Sequence, residues 1–192
     1  MPPTPRPSPA RERLITTAAD LFYRYGCHAT GIDTVIAQAG VAKMTLYKHF
    51  PSKEDLVAAT VHYLDKLYSS RYEAALTSDG LPEARLLRLF DVVEDWTRSG
   101  DFFGCPFVNL CAEFPAHSNP VHAAAAQNKG RMLRTIEGLA SEAGARSPGH
   151  LARQLQILLE GSVALAQVTG SAQFVADARA AAKTLLDADR AS

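Results

Sequence analysis

Residues 31–50 of this chain, GIDTVIAQAGVAKMTLYKHF, write two short helices and the tight turn between them in one line. No other stretch restricts the fold as much. Ile32, Val35, Ile36 and Ala39 recur at i, i+3, i+4 and i+7, the spacing that puts four apolar side chains on one buried helix face. Thr30 is placed to cap that helix, with Asp33 three residues on completing a capping box. Gly40 breaks the helix, Val41 plugs the corner, and Ala42 or Lys43 restarts the chain. On the second helix Leu46 and Phe50, four apart, turn inward, which leaves Met44 and Lys48 on the opposite face with Thr45 and Tyr47 on its flanks. A two-helix unit with a Gly-containing turn and a polar, basic outer face is the geometry that lays its second helix in the major groove of DNA.

The flanks extend the pattern. Upstream, Leu14, Ala18, Leu21, Phe22 and Tyr25 keep helical spacing over three turns and stop at Gly26, so a further helix packs across the pair. Downstream, Pro51 ends the second helix and Ser52 restarts the chain as an N-cap, with Asp55 three residues on. The run from Leu14 through LFYRYGCHATGIDTVIAQAGVAKMTLYKHFPSKEDL to Val61 resembles the N-terminal DNA-binding domain of TetR/AcrR-family transcriptional regulators. Its distinctive pieces are the LF of the first helix, the Ala29-Thr30 lead-in, the AGV turn, the TLY-x-HF second helix and the SKE-x-L start of the fourth. Cys27 stands where an aromatic is common and Met44 where a small residue is common, departures that touch packing and base preference. The resemblance implies an all-α, nine-helix architecture, with an N-terminal three-helix helix-turn-helix head on a C-terminal helical ligand-binding and dimerisation body. The head is placed at 8–68, with its helix-turn-helix motif at 31–50, and the body at 69–192. By the same resemblance the partners are a double-stranded DNA operator of palindromic sequence, a second copy of the chain and a small-molecule effector that releases a repressor from DNA.

Composition bounds this reading. The net charge is zero, which by itself says nothing for nucleic acid, but its distribution says more. Residues 1–53 hold seven Lys or Arg against three acids, whereas residues 73–113 hold eight acids against three arginines. One end can approach phosphates while the middle repels them. Cysteines at 27, 105 and 111 give no paired framework, and the natural inference is a reducing cytoplasm. No apolar run is long enough to span a bilayer, so no membrane partner is expected, and MPPTPRPSP lacks the apolar centre of a signal peptide. Its prolines make an extended tail until Ala10, from which Arg6 could reach a minor groove or simply fray.

Beyond the head no strand-like alternation persists, and helix punctuation is regular. A fourth helix is predicted over 52–77, a fifth from Gly80-Leu81-Pro82 to Ser99 and a sixth over 106–114, ended by Pro115. Asn119-Pro120 opens a seventh lasting to Gly144, Ser147-Pro148 an eighth ended by Gly170, and a ninth runs from about Ser171 to Arg190. Leu151, Leu155, Leu158, Leu159, Ser162 and Ala166 form a stripe on helix eight; Ala178, Ala181, Ala182, Leu185 and Leu186 form one on helix nine. The resemblance implies that these two helices pair with those of a second subunit as a four-helix bundle, and a helix-turn-helix reading a palindrome needs two copies. The alternative is that both stripes are core within one chain.

The residue types then sort into sites. Lys43, Met44 and Thr45 lie at the end of the second helix that reaches base edges, while Tyr47, Lys48, His49 and Lys53 are placed for phosphates. Thr30, ahead of the first helix of the pair, joins the DNA-facing set, and His49 is the member that flanks Phe50 and can pack instead. In the body, GCPFVNLCAEFP (residues 104–115) resembles a Gly-Cys-x-x-x-Asn-x-x-x-Glu segment of a subset of TetR-like proteins. Cys105, Asn109 and Glu113 share one face of helix six and are expected to make the polar wall of a pocket with Trp96 and Phe107. Either a reversible ligand bonds Asn109, or an electrophile or oxidant modifies Cys105; the first is favoured, because no cation lies near Cys105 within the motif and Pro106 removes an amide. For an enzyme the chain lacks a phosphate-cradling glycine loop, a His-Glu-x-x-His and a Gly-x-Ser-x-Gly elbow. Cys105 and Cys111 with His117 and His122 lack finger spacing, so neither a metal nor a cofactor is expected. A helical module that only binds a protein partner is the other rival, and it would leave the head motif idle.

Overall fold

In the computed structural model, which describes residues 8–189, the chain forms nine α-helices and no strand among those residues. They are α1 (Pro9–Tyr25), α2 (Ile32–Ala39), α3 (Lys43–His49), α4 (Lys53–Thr77), α5 (Pro82–Thr97), α6 (Pro106–Glu113), α7 (Pro120–Glu142), α8 (Pro148–Thr169) and α9 (Gln173–Ala188). Two compact units share them. The first holds residues up to 66 together with 106–125, and the second holds 67–105 together with the rest from 126.

In the first unit α1 packs on α2 and α3, which also pack on each other. Leu14, Ala18, Leu21 and Phe22 of α1, Val35 and Ala39 of α2, and Leu46 with Phe50 are buried, as are Leu56, Val57 and Val61 on α4. Three local expectations are corrected here. Tyr25 is exposed, because α1 ends beside it at Gly26, and Ile32 and Ile36 are only half-buried at the rim of their face. Thr30 does not cap α2; Gly31 occupies the cap position and the Thr30 hydroxyl instead donates to the Gly26 carbonyl at 2.8 Å. The predicted tail is shorter than expected, since α1 already starts at Pro9 with the Ser8 hydroxyl accepting the Arg11 amide at 3.2 Å. Arg6 and the rest of that tail lie outside the described residues, as does the predicted end of helix nine at Arg190. The Ser52–Asp55 box is as predicted, with reciprocal bonds of 3.1 Å between each backbone amide and the other side chain. Gly40 closes α2 in the left-handed region at φ 62, a conformation glycine adopts without a Cβ penalty.

In the second unit α5, α8 and α9 pack together. Leu86, Phe90 and Val93 are buried with Leu151, Leu155, Leu159, Val163, Val175, Ala182 and Leu186, and at the surface Arg179 of α9 pairs with Asp91 of α5 at 2.6 Å. Most of the two stripes assigned to a subunit interface are therefore internal: Ala178 and Leu186 are buried, and Ala182 is 0% exposed. Ala181 is exposed, and Leu158 and Leu185 are half-buried. The outward face of α8 is different. Ile157, Gly161, Ala164, Leu165 and Val168 are all exposed and recur at helical spacing, with Ile157 at 70% and Val168 at 84%.

Candidate DNA-binding site

The orientation of α3 follows from its inner residues. Leu46 is 0% and Phe50 2% exposed, and turning either out would cost roughly 1.5–3 kcal/mol. That fixes the outer face. Met44 (80% exposed), Tyr47, Lys43 and Lys48 point to solvent, while Thr45 is half-buried. Lys43 pairs with Asp33 of α2 at 3.0 Å, a bond that raises its pKa. Lys48 makes no ion pair among the described residues, which leaves its charge available.

Of the other predicted DNA contacts, His49 and Thr30 are engaged inside the first unit. His49 bonds the Ser8 hydroxyl at 3.0 Å and lies tilted against Phe50, while Arg11 stacks over Phe50 at 5.2 Å. The start of α1 is thus tied to the end of α3. Thr30 is 4% exposed. Lys53 is half-buried, lining a hollow of about 160 Å³ with Cys27, His28 and Phe114. Burial raises the Cys27 thiol from 9.0 to about 11, against the Lys53 charge that lowers it.

Within the same unit Glu113 closes the turn between α1 and α2. Its two carboxylate oxygens accept the amides of Cys27 at 2.7 Å and His28 at 2.6 Å. The His28 ring meets Phe114 edge-on, with centroids 4.9 Å apart. Glu113 is the last residue of α6 and approaches Gly26 at the end of α1, so the negative ends of two helices disfavour it by about 0.3–1 kcal/mol each. Two charge-assisted bonds, roughly 1.5–3 kcal/mol each before screening, outweigh that.

The five residues expected to wall a pocket are divided between the units. Phe107, buried, and Asn109, half-buried, lie with Glu113 on α6 in the first. Trp96 and Cys105 lie in the second. There the Trp96 ring sits edge-on to Tyr68 and Phe102, at 5.2 and 5.0 Å, and its buried Nε1 has no acceptor among the described residues. Cys105 is buried, and the Lys129 ammonium donates to its sulfur at 3.2 Å and to Glu160 at 2.6 Å. Burial would lower the pKa of Lys129, but the Cys105 and Glu160 side chains more than offset it and hold the ammonium above its ordinary value. Lys129 and Glu160 were absent from the sequence reading; they come from α7 and α8, and no local spacing announces such a pair. A cleft of about 350 Å³ opens elsewhere in this unit, between α4 and α7, lined by Tyr72, Glu73, Leu76, Asn128, Arg131 and Met132 among others. None of the five predicted residues lines it. No helix of the described residues is long and apolar enough to cross a membrane.

Comparison with known proteins gives the family. Residues 14–60 match the family described as bacterial regulatory proteins, tetR family, and residues 82–182 match the tetracyclin repressor-like C-terminal domain. The HTH-type transcriptional regulator YjdC of Escherichia coli is 23% identical over 92% of this chain and 93% of its own. Among solved structures, the TetR-family regulator SCO4454 of Streptomyces coelicolor superposes with a TM-score of 0.89 at 30% identity, covering 95% of this chain and 96% of that one. The regulator sav143 of Streptomyces avermitilis gives 0.80 at 32% identity, covering 94% and 97%. The protein is a DNA-binding regulator rather than an enzyme: it belongs to the TetR family of bacterial transcriptional regulators, with its helix-turn-helix domain at the N-terminal end.

Proposed function

We propose that this chain is a ligand-responsive repressor acting in the cytoplasm as a homodimer on a palindromic operator. The observation that carries the reading is the outer face of α3, where buried Leu46 and Phe50 force Lys43, Met44, Tyr47 and Lys48 outward. Met44 and Thr45 read bases with Lys43, while Tyr47, Lys48 and Lys53 hold phosphates. The exposed apolar face of α8 supports a second copy, which delivers two reading helices to successive major grooves. Residues 8–68 carry the DNA-binding role and residues 69–192 effector binding and dimerisation. Selecting bound sequences from a random DNA pool tests this directly. A palindrome bound far more tightly than its half-site is the expected outcome; enrichment of no sequence would sink the reading.

For the effector, two versions stand. A reversible ligand would bury apolar surface in the second unit, where the Trp96 Nε1 donor and the cleft beside Asn128 and Arg131 supply the few polar groups such sites use. The second version gains an observation the sequence lacked, the Lys129 ammonium at the Cys105 sulfur. The thiolate is the species that adds to an electrophile, and the ammonium stands beside the sulfur that would attack. Addition to an electron-poor C=C bond then forms a C–S bond, breaks the π bond and draws a proton from Lys129 or water onto the resulting carbanion. Operator release by parent and Cys105→Ser, each exposed to electrophiles and to neutral aromatics, separates the two. Release by an electrophile that vanishes in the serine variant selects the thiol; equal release of both selects the reversible ligand.

A further inference from the structure

The turn between α1 and α2 is held by a residue that follows it by more than eighty positions. Gly26 leaves α1 at φ 88, and a Cβ there would lie 3.4 Å from a Glu113 oxygen. The next two amides, of Cys27 and His28, converge on the two oxygens of that carboxylate, as successive amides in a concave turn do around an anion. On the other side of the turn Thr30 donates to the Gly26 carbonyl. Gly31 then starts α2 with no side-chain cap of its own. The reading pair therefore enters its fold directly from a turn whose amides are satisfied by α6, and α2 has no local device to set its own start.

Local helix preference also opposes the charge, although its two amide bonds outweigh that cost. A carboxylate at the last residue of α6, facing the carbonyl end of α1, opposes both helix dipoles. Local preference contradicted in this way is characteristic of positions kept for function.

We propose that Glu113 is a positioning residue for DNA reading: its grip on the Cys27 and His28 amides sets the α1–α2 turn and with it the register of the α2–α3 pair. It rests on the reading that this pair binds DNA. The outer face of α3 supplies contacts whether or not the turn is held, but base contacts need its placement to within a fraction of an ångström, whereas phosphate contacts tolerate more. Loosening the grip should thus degrade specific binding more than nonspecific binding.

The test compares parent, Glu113→Gln and Glu113→Ala in the full chain, each on the selected operator and on random DNA at several salt concentrations. Glutamine keeps the shape but offers one acceptor oxygen where two are used, so it reports on the bond pair even if the alanine variant folds poorly. Operator affinity is expected to fall roughly tenfold in Glu113→Gln and further in Glu113→Ala, with random-DNA affinity and salt slope unchanged. Alkylation of Cys27, located by peptide mass, gives a second readout, because that thiol is 1% exposed. It should speed up at least several-fold in both variants as the turn opens. Unchanged operator affinity in both variants overturns the proposal, as does an equal loss on operator and random DNA accompanied by a lower melting temperature, the mark of a merely structural bond. If the parent itself shows no operator preference, the DNA-binding reading fails instead, and the two failures are distinguishable.

Discussion

The α2–α3 pair and the α8–α9 pair are both two packed helices with one face sealed inside the chain, yet they show solvent opposite chemistries. On α3 the outward residues are Lys43, Met44, Tyr47 and Lys48; on α8 they include Ile157, Gly161, Ala164, Leu165 and Val168, with polar Arg153 and Gln167 also exposed. A basic outer face costs nothing in water and finds its partner in phosphate. An apolar face at helical spacing gains by being covered, and the cover proposed for it is the same face of a second copy. The inner faces, by contrast, are alike. Leu46 and Phe50 in the one pair, and Leu155, Leu159 and Ala182 in the other, are core. Function in this molecule is therefore to be sought on the sides of helices that do not make the fold.

The sharpest way to break that comparison is Gly161→Arg. Nothing lies within 4 Å of a Cβ built at Gly161, and it sits mid-helix on α8. Within one chain the substitution should stabilise slightly, by about 0.5–1 kcal/mol, because a helix-interior glycine is replaced. Across a subunit interface it would bury a charge without a partner. The expected result is a monomer in analytical ultracentrifugation with an unchanged or raised melting temperature, and a loss of operator affinity on the order of 100-fold or more as the second head is no longer tethered. A variant that stays dimeric removes this face from the interface. Arginine at Ala182 would instead disrupt the packing of α9 in a single chain, since Ala182 is fully buried there.

That contrast also shows what could be read from residues alone. The head was legible because its signals are local: Gly40 with its positive φ, the Ser52–Asp55 box and the Leu46–Phe50 spacing each act within four residues. So were the proline-led starts of α5, α7 and α8, the last two preceded by Asn119 and Ser147. What failed was the direction in which an apolar or polar side chain finds its partner. The stripes on α8 and α9 carry the same periodicity whether they meet within one chain or between two. Glu113 shares a helix face with Asn109, as predicted, but its oxygens meet amides 85 and 86 residues away. Lys129 reaches Cys105 and Glu160 from separate helices. Thr30 has the right sequence position for a cap and is taken by a nearer carbonyl.

A second, smaller effect sharpens the α3 side. Lys48 is exposed and makes no ion pair among the described residues, whereas Lys43 shares its charge with Asp33. Lys48→Ala should weaken operator and random DNA alike by several-fold and lower the salt slope by about 0.9 per subunit, one phosphate contact each. Lys43→Ala should change the slope less, because the DNA has to compete with the carboxylate already bound. Equal slopes for parent and Lys48→Ala, measured by fluorescence anisotropy across a salt series, would show that this face does not lie on phosphate. Met44 substitutions, at the other end of the helix, should leave the slope alone and shift the preferred bases.

The smallest effect separates packing from contact at Thr30. Valine there keeps the branched shape and removes only the hydroxyl that donates to Gly26 at 2.8 Å. Because the side chain is 4% exposed, it has little surface to offer DNA. The loss should be about 1 kcal/mol of stability, a drop of about 2–4 °C in melting temperature for a chain of this size. Random-DNA affinity and salt slope should stay at the parent's values. A variant with the parent's melting temperature but weaker binding to every sequence would place Thr30 on phosphate after all, and would mean that the turn opens on DNA far enough to turn that hydroxyl outward. Cys27 alkylation measured with and without DNA discriminates between these outcomes, since a turn that opens on DNA exposes both residues together.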